Sequence, residues 1–134
     1  MTILLIEDSR FLRIAIERAL VKAGYHVVSV GDGEVGLRAA QEKTPDLILL
    51  DMMLPKVTGL DVLRTLKSDA RTKPIPVIVL TSLSHANEAK LAEEGAAAFF
   101  HKSEKTLQNN SADLIQSVEK LLNKAKAKGA GPAD

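Results

Sequence analysis

Four short apolar runs punctuate the chain, and each is closed by a polar group. The runs are ILLI (Ile3–Ile6), LILL (Leu47–Leu50), VIVL (Val77–Leu80) and AAFF (Ala97–Phe100). They are closed by Glu7 and Asp8, by Asp51, by Thr81, and by Lys102 with His101 just before it. Runs of this length, bounded by turn signals, read as strands. Between them the apolar residues fall at helical spacing. Strand one is Thr2–Ile6. Ser9 can cap a helix whose stripe is Leu12, Ile16, Ala19, Leu20 and Ala23, and Gly24 stands where a left-handed C-terminal residue is wanted. Strand two covers about Tyr25–Val30, and Gly31-Asp32-Gly33 is a turn. Helix two covers about Glu34–Lys43, with Pro45 preventing its continuation. Strand three ends at Asp51, the loop Met52–Thr58 follows, and helix three is about Gly59–Ser68, apolar at Leu60, Leu63 and Leu66. Pro74 and Pro76 frame the entry to strand four, and helix four spans about His85–Glu94. Strand five is short. Helix five begins near Ser111 with Leu114, Ile115, Val118, Leu121 and Leu122 inward.

Five βα units in succession predict an α/β fold, a single doubly wound five-stranded parallel sheet. LILL is apolar at consecutive positions, as a central parallel strand covered on both faces requires. Open α/β sheets place their sites at the carboxyl ends of the strands, so the closing polar groups are expected to converge. At 134 residues the chain makes one domain, expected over residues 1–123, with 124–134 a flexible tail or linker stub.

Composition narrows the chemistry. The formal net charge is +1, which gives no bulk attraction to nucleic acid or an anionic membrane. There is no cysteine, which removes disulfides, thiolate metal sites and a cysteine nucleophile, and fits a cytoplasmic location. No apolar run approaches the ~18 residues of a membrane helix. The chain enters its first strand at once, with no signal peptide expected. There is no tryptophan and aromatic residues are few, so base-stacking platforms are not expected.

Bringing Glu7, Asp8 and Asp51 together is costly. Two carboxylates ~4 Å apart repel by about 4 kcal/mol at an effective dielectric of about 20. Such a cluster takes up a proton or holds a cation. All-oxygen donors suit Mg²⁺, with Mn²⁺ as a substitute, and Mg²⁺ readily accepts phosphate oxygens as well. A carboxylate can act as a nucleophile toward phosphorus. Lys102 and a metal would neutralise phosphoryl oxygens, and Thr81 would donate to one of them. Asp51, ending the central strand, is the expected acceptor. Each residue alone has an ordinary reading: an acidic turn, a β-branched strand residue, a solvated lysine. Their recurrence at the same end of successive strands is what carries the argument.

The chain resembles the response-regulator receiver domains of two-component phosphorelay signalling. The resemblance runs from Thr2 to about Asn123. It rests on ILLIEDS, GYHVVSVGDGEVGL, PDLILLDMMLPKVTGLDVL, PVIVLTS and GAAAFFHKS, and above all on the spacing of Asp51, Pro55 and Gly59. The resemblance implies the flavodoxin-like strand order 2-1-3-4-5, for which receivers are a type case. It implies Mg²⁺ held by Asp8, Asp51 and the carbonyl of Met53, with Glu7 assisting. Asp51 would then take a phosphoryl group from the phosphohistidine of a sensor histidine kinase or phosphotransfer protein, and Thr81 and Lys102 would hold it. Phe99, three residues before the lysine, would move inward behind Thr81 and reshape the face formed by helix four, strand five and helix five for an output partner. The chain would be a phosphoacceptor signalling domain rather than a turnover enzyme, with no nucleic-acid or membrane contact of its own.

Three features depart from the family pattern. Ser103 follows the lysine where a cis proline is usual, and a non-proline cis bond costs about 2.5–4 kcal/mol. Ser103–Asn110 is longer than usual. Met53 and Leu83 cannot orient an attacking water by hydrogen bonding, which implies slow loss of phosphate.

Two enzyme readings compete. Gly31, Gly33 and Gly36 match G-x-G-x-x-G between a strand and a helix, the pattern of a small dinucleotide-binding domain. That motif follows strand two and leaves Glu7, Asp8, Thr81 and Lys102 without a role. A haloacid-dehalogenase-type phosphatase would need a second acid two residues beyond the nucleophile, where this chain has Met53. Asn109-Asn110-Ser111 fits a glycosylation acceptor but reads as loop and helix cap, and His26, His85 and His101 lack metal-ligand spacing.

Overall fold

The computed structural model describes residues 1–54, 57–81, 88–101 and 112–129, with side chains as far as Lys124. The elements are β1 (Thr2–Ile6), α1 (Arg10–Lys22), β2 (His26–Val30), α2 (Gly33–Lys43), β3 (Leu47–Asp51), α3 (Gly59–Ser68), β4 (Val77–Thr81), α4 (Glu88–Glu93), β5 (Ala98–His101) and α5 (Ala112–Gly129). The strands are all parallel, in the order β2-β1-β3-β4-β5, as the apolar runs and the resemblance implied.

Strand periodicity divides the core in two. Leu4, Ile6, Ile48, Leu50, Val77 and Val79 face Ala39 and Ala40 of α2, Val62, Leu63 and Leu66 of α3, and Leu91 of α4. Ile3, Leu5, Leu47, Leu49, Ile78 and Leu80 face Ile16 and Leu20 of α1 and Leu114, Val118 and Leu122 of α5. Every residue of β3 and β4 is buried, because helices cover both faces of these strands. β2 is an edge strand and none of its residues is fully buried.

Local chemistry sets the helix ends. Ser9, Asp32 and Thr58 are N-caps whose side-chain oxygens accept from Leu12, Val35 and Asp61 N–H at 3.3, 2.9 and 3.2 Å. Gly24 takes φ +103° after α1, the left-handed conformation that glycine enters without a Cβ penalty. Ala23, expected on the apolar stripe, is the exposed C-cap of α1. In α3 the inward set is Val62, Leu63 and Leu66, with Leu60 only half-buried. α5 keeps its buried stripe at Leu114, Val118 and Leu122 and runs on to Gly129.

Candidate functional site

The parallel register brings the strand ends together. Ile6 of β1 pairs with Leu50 of β3, so Glu7 and Asp51 emerge side by side. Asp51 pairs with Leu80 and Thr81 pairs with His101, which puts Thr81 one step beyond the acid on the neighbouring strand. Glu7, Asp51 and Thr81 are 0%, 1% and 2% exposed, whereas Asp8 stands in solvent. Carboxylate oxygens of Glu7, Asp8 and Asp51 lie within 4.8 Å of one another. At that distance each ionised pair repels by at least about 3 kcal/mol at an effective dielectric of about 20. Two of the three acids are buried, so water screens them poorly. An all-oxygen donor set of this kind fits a hard divalent cation.

Backbone bonds hold the cluster. Glu7 N–H donates to Val30 O at 3.1 Å, and Glu7 Oε2 accepts from Ser9 N–H at 3.1 Å. Arg13 Nη1 donates to the Glu7 carbonyl at 2.8 Å. Asp51 Oδ1 accepts from Met53 N–H at 3.1 Å, folding the start of the β3–α3 loop back over its own carboxylate. The Met53 side chain points out, 61% exposed. Met52 N–H donates to Leu80 O at 3.1 Å, and Gly59 N–H donates to Met52 O at 3.2 Å.

Gly59 explains the spacing of eight residues from Asp51. A Cβ there would lie 2.5 Å from the Asp51 carbonyl oxygen and 2.6 Å from Met52 Cα. The first turn of α3 therefore sits directly on the peptide that follows the acid, and any side chain at 59 would lift it.

Phe99 lies on β5, half-buried, and packs on the core face shared with Val77, Val79 and Leu91. Its neighbour on the same strand face, His101, has Nε2 2.8 Å from Glu88 Oε1 at the start of α4. Lys102, Pro55, Leu83, His85, Ser103 and Asn109–Ser111 lie outside the described residues. Sequence reasoning missed Arg13 and the His101–Glu88 contact. Neither has a one-dimensional signal, because a lone arginine on a helix and a lone acid at a helix start look like solvated surface.

The glycine motif has a different role from the one a dinucleotide would require. The Asp32 carboxylate caps α2 itself, accepting from Val35 N–H at the helix end where a pyrophosphate would sit. A Cβ at Gly33 would meet Val62 Cγ2 at 2.8 Å, and one at Gly36 would meet Ile6 Cδ1 at 2.6 Å. These glycines let α2 pack closely on α3 and β1, a packing role and not that of a dinucleotide-binding loop.

Comparison with known proteins agrees with this geometry. The chain is 35% identical over 103 residues to the polar-differentiation response regulator DivK of Brucella anthropi, covering 75% of this chain and 83% of that protein. Among solved structures, it superposes on the signal receiver domain of a signal transduction histidine kinase from Syntrophus aciditrophicus. That match has a TM-score of 0.82 and 31% identity, and covers 94% of this chain and 92% of the other. A second structure is the receiver domain of a sensor histidine kinase from Pseudomonas aeruginosa PAO1, with a magnesium ion coordinated in its active-site cleft. It gives a TM-score of 0.79 and 27% identity, covering 91% of this chain and 97% of that one. Three longer curated relatives also match, and the chain spans 35%, 6% and 15% of their lengths. Among the described residues no helix is long and apolar enough to cross a membrane. The sequence model of the response regulator receiver domain matches residues 3–125, which takes in all five strands but for Thr2 and every strand end that builds the acidic site. The chain belongs to the response regulator receiver domain family, the signalling domains of two-component systems.

Proposed function

We propose that Asp51 is the phosphoacceptor of this receiver domain. The observation that carries the reading is the meeting of three carboxylates, two of them buried, beside a buried threonine at the ends of adjacent parallel strands. An Asp51 carboxylate oxygen forms a bond to phosphorus as the P–N bond of a donor phosphohistidine breaks, and the bonding pair leaves with the imidazole nitrogen. Glu7, Asp8 and Asp51, with the Met53 carbonyl, would hold Mg²⁺, or Mn²⁺ in its place. When bound, the cation supplies positive charge against the phosphoryl oxygens. The Thr81 hydroxyl donates to a phosphoryl oxygen, and Lys102, the residue after β5, pairs with another. Met53 N–H keeps Asp51 oriented through the bond to Oδ1.

The donor is a sensor histidine kinase or a phosphotransfer protein, and the output is a change on the face formed by α4, β5 and α5. Phe99 pairs with Val79 beside β4 and packs on the core cluster that includes Val79 and Leu91, so movement of Thr81 toward a phosphoryl group would change the surroundings of Phe99. The shift is a redistribution between two packings, and the phosphoryl group drives it only through contacts that differ between them.

Intact mass after incubation with acetyl phosphate tests the reading. One phosphoryl adduct should form with MgCl₂ present, be absent with EDTA, and be absent in Asp51→Asn. An adduct that forms equally in Asp51→Asn would refute Asp51 as the acceptor.

A further inference from the structure

Glu7 is held at three separate points, and the third comes from outside the site. Its N–H goes to the end of β2, its carboxylate accepts from Ser9, and its carbonyl accepts from Arg13 Nη1 at 2.8 Å. Arg13 reaches back from α1, and its own N–H is fixed to Ser9 O at 2.8 Å. The guanidinium is also confined by the β2–α2 turn, because a Cβ at Gly31 would lie 3.1 Å from Nη1. Gly31 thus leaves the space that Arg13 fills.

The carbonyl gripped by Arg13 belongs to the peptide that joins Glu7 to Asp8. Asp8 is the exposed member of the three acids. With the Glu7 carboxylate tied separately, the orientation of that peptide decides where the Asp8 side chain starts. Repulsion from two buried acids favours a carboxylate turned toward solvent, and a fixed backbone limits how far its Cβ can follow. We propose that Arg13 is a positioning residue: through the Glu7 carbonyl it sets the Glu7–Asp8 peptide and keeps Asp8 within reach of a cation shared with Glu7 and Asp51. The proposal rests on the metal-site reading above.

Arg13 has two effects on a bound cation, and they oppose each other. Its positive charge beside the acids repels a cation, so charge alone predicts tighter Mg²⁺ binding when Arg13 is neutralised. Its hydrogen bond orders a ligand, so positioning predicts weaker binding when the donor is lost. Residues that orient metal ligands typically change affinity by about 10- to 100-fold. The sign of the change therefore separates the two roles.

The experiment is isothermal titration of wild-type and variant protein with MgCl₂ alone, with melting temperature in EDTA recorded beside it. Arg13→Met keeps the stem and removes donor and charge; it should bind Mg²⁺ about tenfold more weakly. Arg13→Lys keeps a donor of similar reach and should recover most of that loss. Gly31→Ala changes no charged group but crowds Nη1, and should weaken binding by up to about tenfold, the lower limit for such residues. If Arg13→Met does not fold in EDTA, Arg13→Lys and Gly31→Ala decide the question. Variant binding as tight as wild-type, or tighter, would overturn the positioning role and leave the metal site standing. No Mg²⁺ binding by the wild-type protein would overturn the metal site, and this inference with it.

Discussion

Gly59→Ala separates helix propensity from close packing, because the two predict opposite signs. Gly59 is the first residue of α3 and has no positive φ, so alanine can adopt its backbone. Propensity alone would make alanine more stable by up to about 1 kcal/mol. The structure opposes this: the new methyl would lie 2.5 Å from Asp51 O, 2.6 Å from Met52 Cα and 2.7 Å from Met52 Cε. Met52 Cε is the end of a flexible side chain and can turn aside. The other two atoms are backbone, and reaching an ordinary contact requires the start of α3 to lift by roughly 1 Å. Overpacking of this kind costs about 1–3 kcal/mol. Allowing for the full propensity gain, we expect a net loss of up to about 2 kcal/mol, a fall in Tm of up to roughly 8 °C for a domain of this size. The atoms the methyl presses on are the carbonyl of Asp51 and the Cα of the residue after it, so phosphorylation by acetyl phosphate should slow as well. Thermal denaturation by circular dichroism, with adduct formation timed by mass, checks both. An alanine variant more stable than wild-type would refute the close-packing argument.

Three further outcomes follow from particular contacts. The exposed Met53 offers no hydrogen bond to an attacking water, so Met53→Asn should shorten the phosphate lifetime; an unchanged or longer decay time of the isolated phosphoprotein would count against this. Lys67 Nζ donates to Lys73 O at 3.0 Å and to Ile75 O at 2.7 Å, while burial pulls its ammonium pKa down. Lys67→Met keeps the stem and should cost about 1–2 kcal/mol in urea unfolding, because two carbonyls at the entry to β4 lose their donor. The Arg71 side chain bonded to Asp69 holds that carboxyl below its ordinary 3.8, with help from Arg71 N–H and Gln41. A depressed folded-state pKa adds stability that is complete above the unfolded value and disappears as pH falls through the folded one. The Tm gap between wild-type and Asp69→Asn should therefore be flat above ~pH 5 and close in acid below pH 3.8. A gap that widens in acid would reverse the assignment.

Much of the fold was legible because parallel sheets write their own pattern. Leu47–Leu50 is apolar at every position, which only a strand covered on both faces needs, and β3 lies in the middle of the sheet. The convergence of Glu7, Asp51 and Thr81 followed from strand ends alone, since parallel strands in near register must deliver their last residues to one edge. What sequence did not reveal depends on side-chain direction. Arg13 reads as one more basic residue on α1, and only its bond to Glu7 O marks it out. The burial of Glu7 against the exposure of Asp8 is equally invisible, since neighbouring residues of one charge differ only in which way the chain turns. The Leu60, Leu63, Leu66 spacing leaves out Val62, although the inward face of α3 falls on Val62, Leu63 and Leu66. α5 runs on to Gly129, beyond Leu122, the last buried residue among those described, on a Lys- and Ala-rich stretch whose propensity favours helix without any apolar stripe in the sequence to announce it. The glycine motif misled for a physical reason. Glycines that admit a close helix and glycines that admit a phosphate share a spacing, and only the Asp32 cap and the contacts to Val62 and Ile6 distinguish them.

The central claim is that Asp51, among three acids gathered at one point, receives the phosphoryl group. The most direct measurement is borohydride reduction of the protein after acetyl phosphate and Mg²⁺ treatment, followed by peptide sequencing by mass spectrometry. Reduction converts an aspartyl phosphate to homoserine and leaves a free carboxylate untouched. Homoserine is expected at position 51 alone, dependent on Mg²⁺. Homoserine at Asp8, a reduced side chain at Glu7, or modification confined to residues outside the cluster would contradict it.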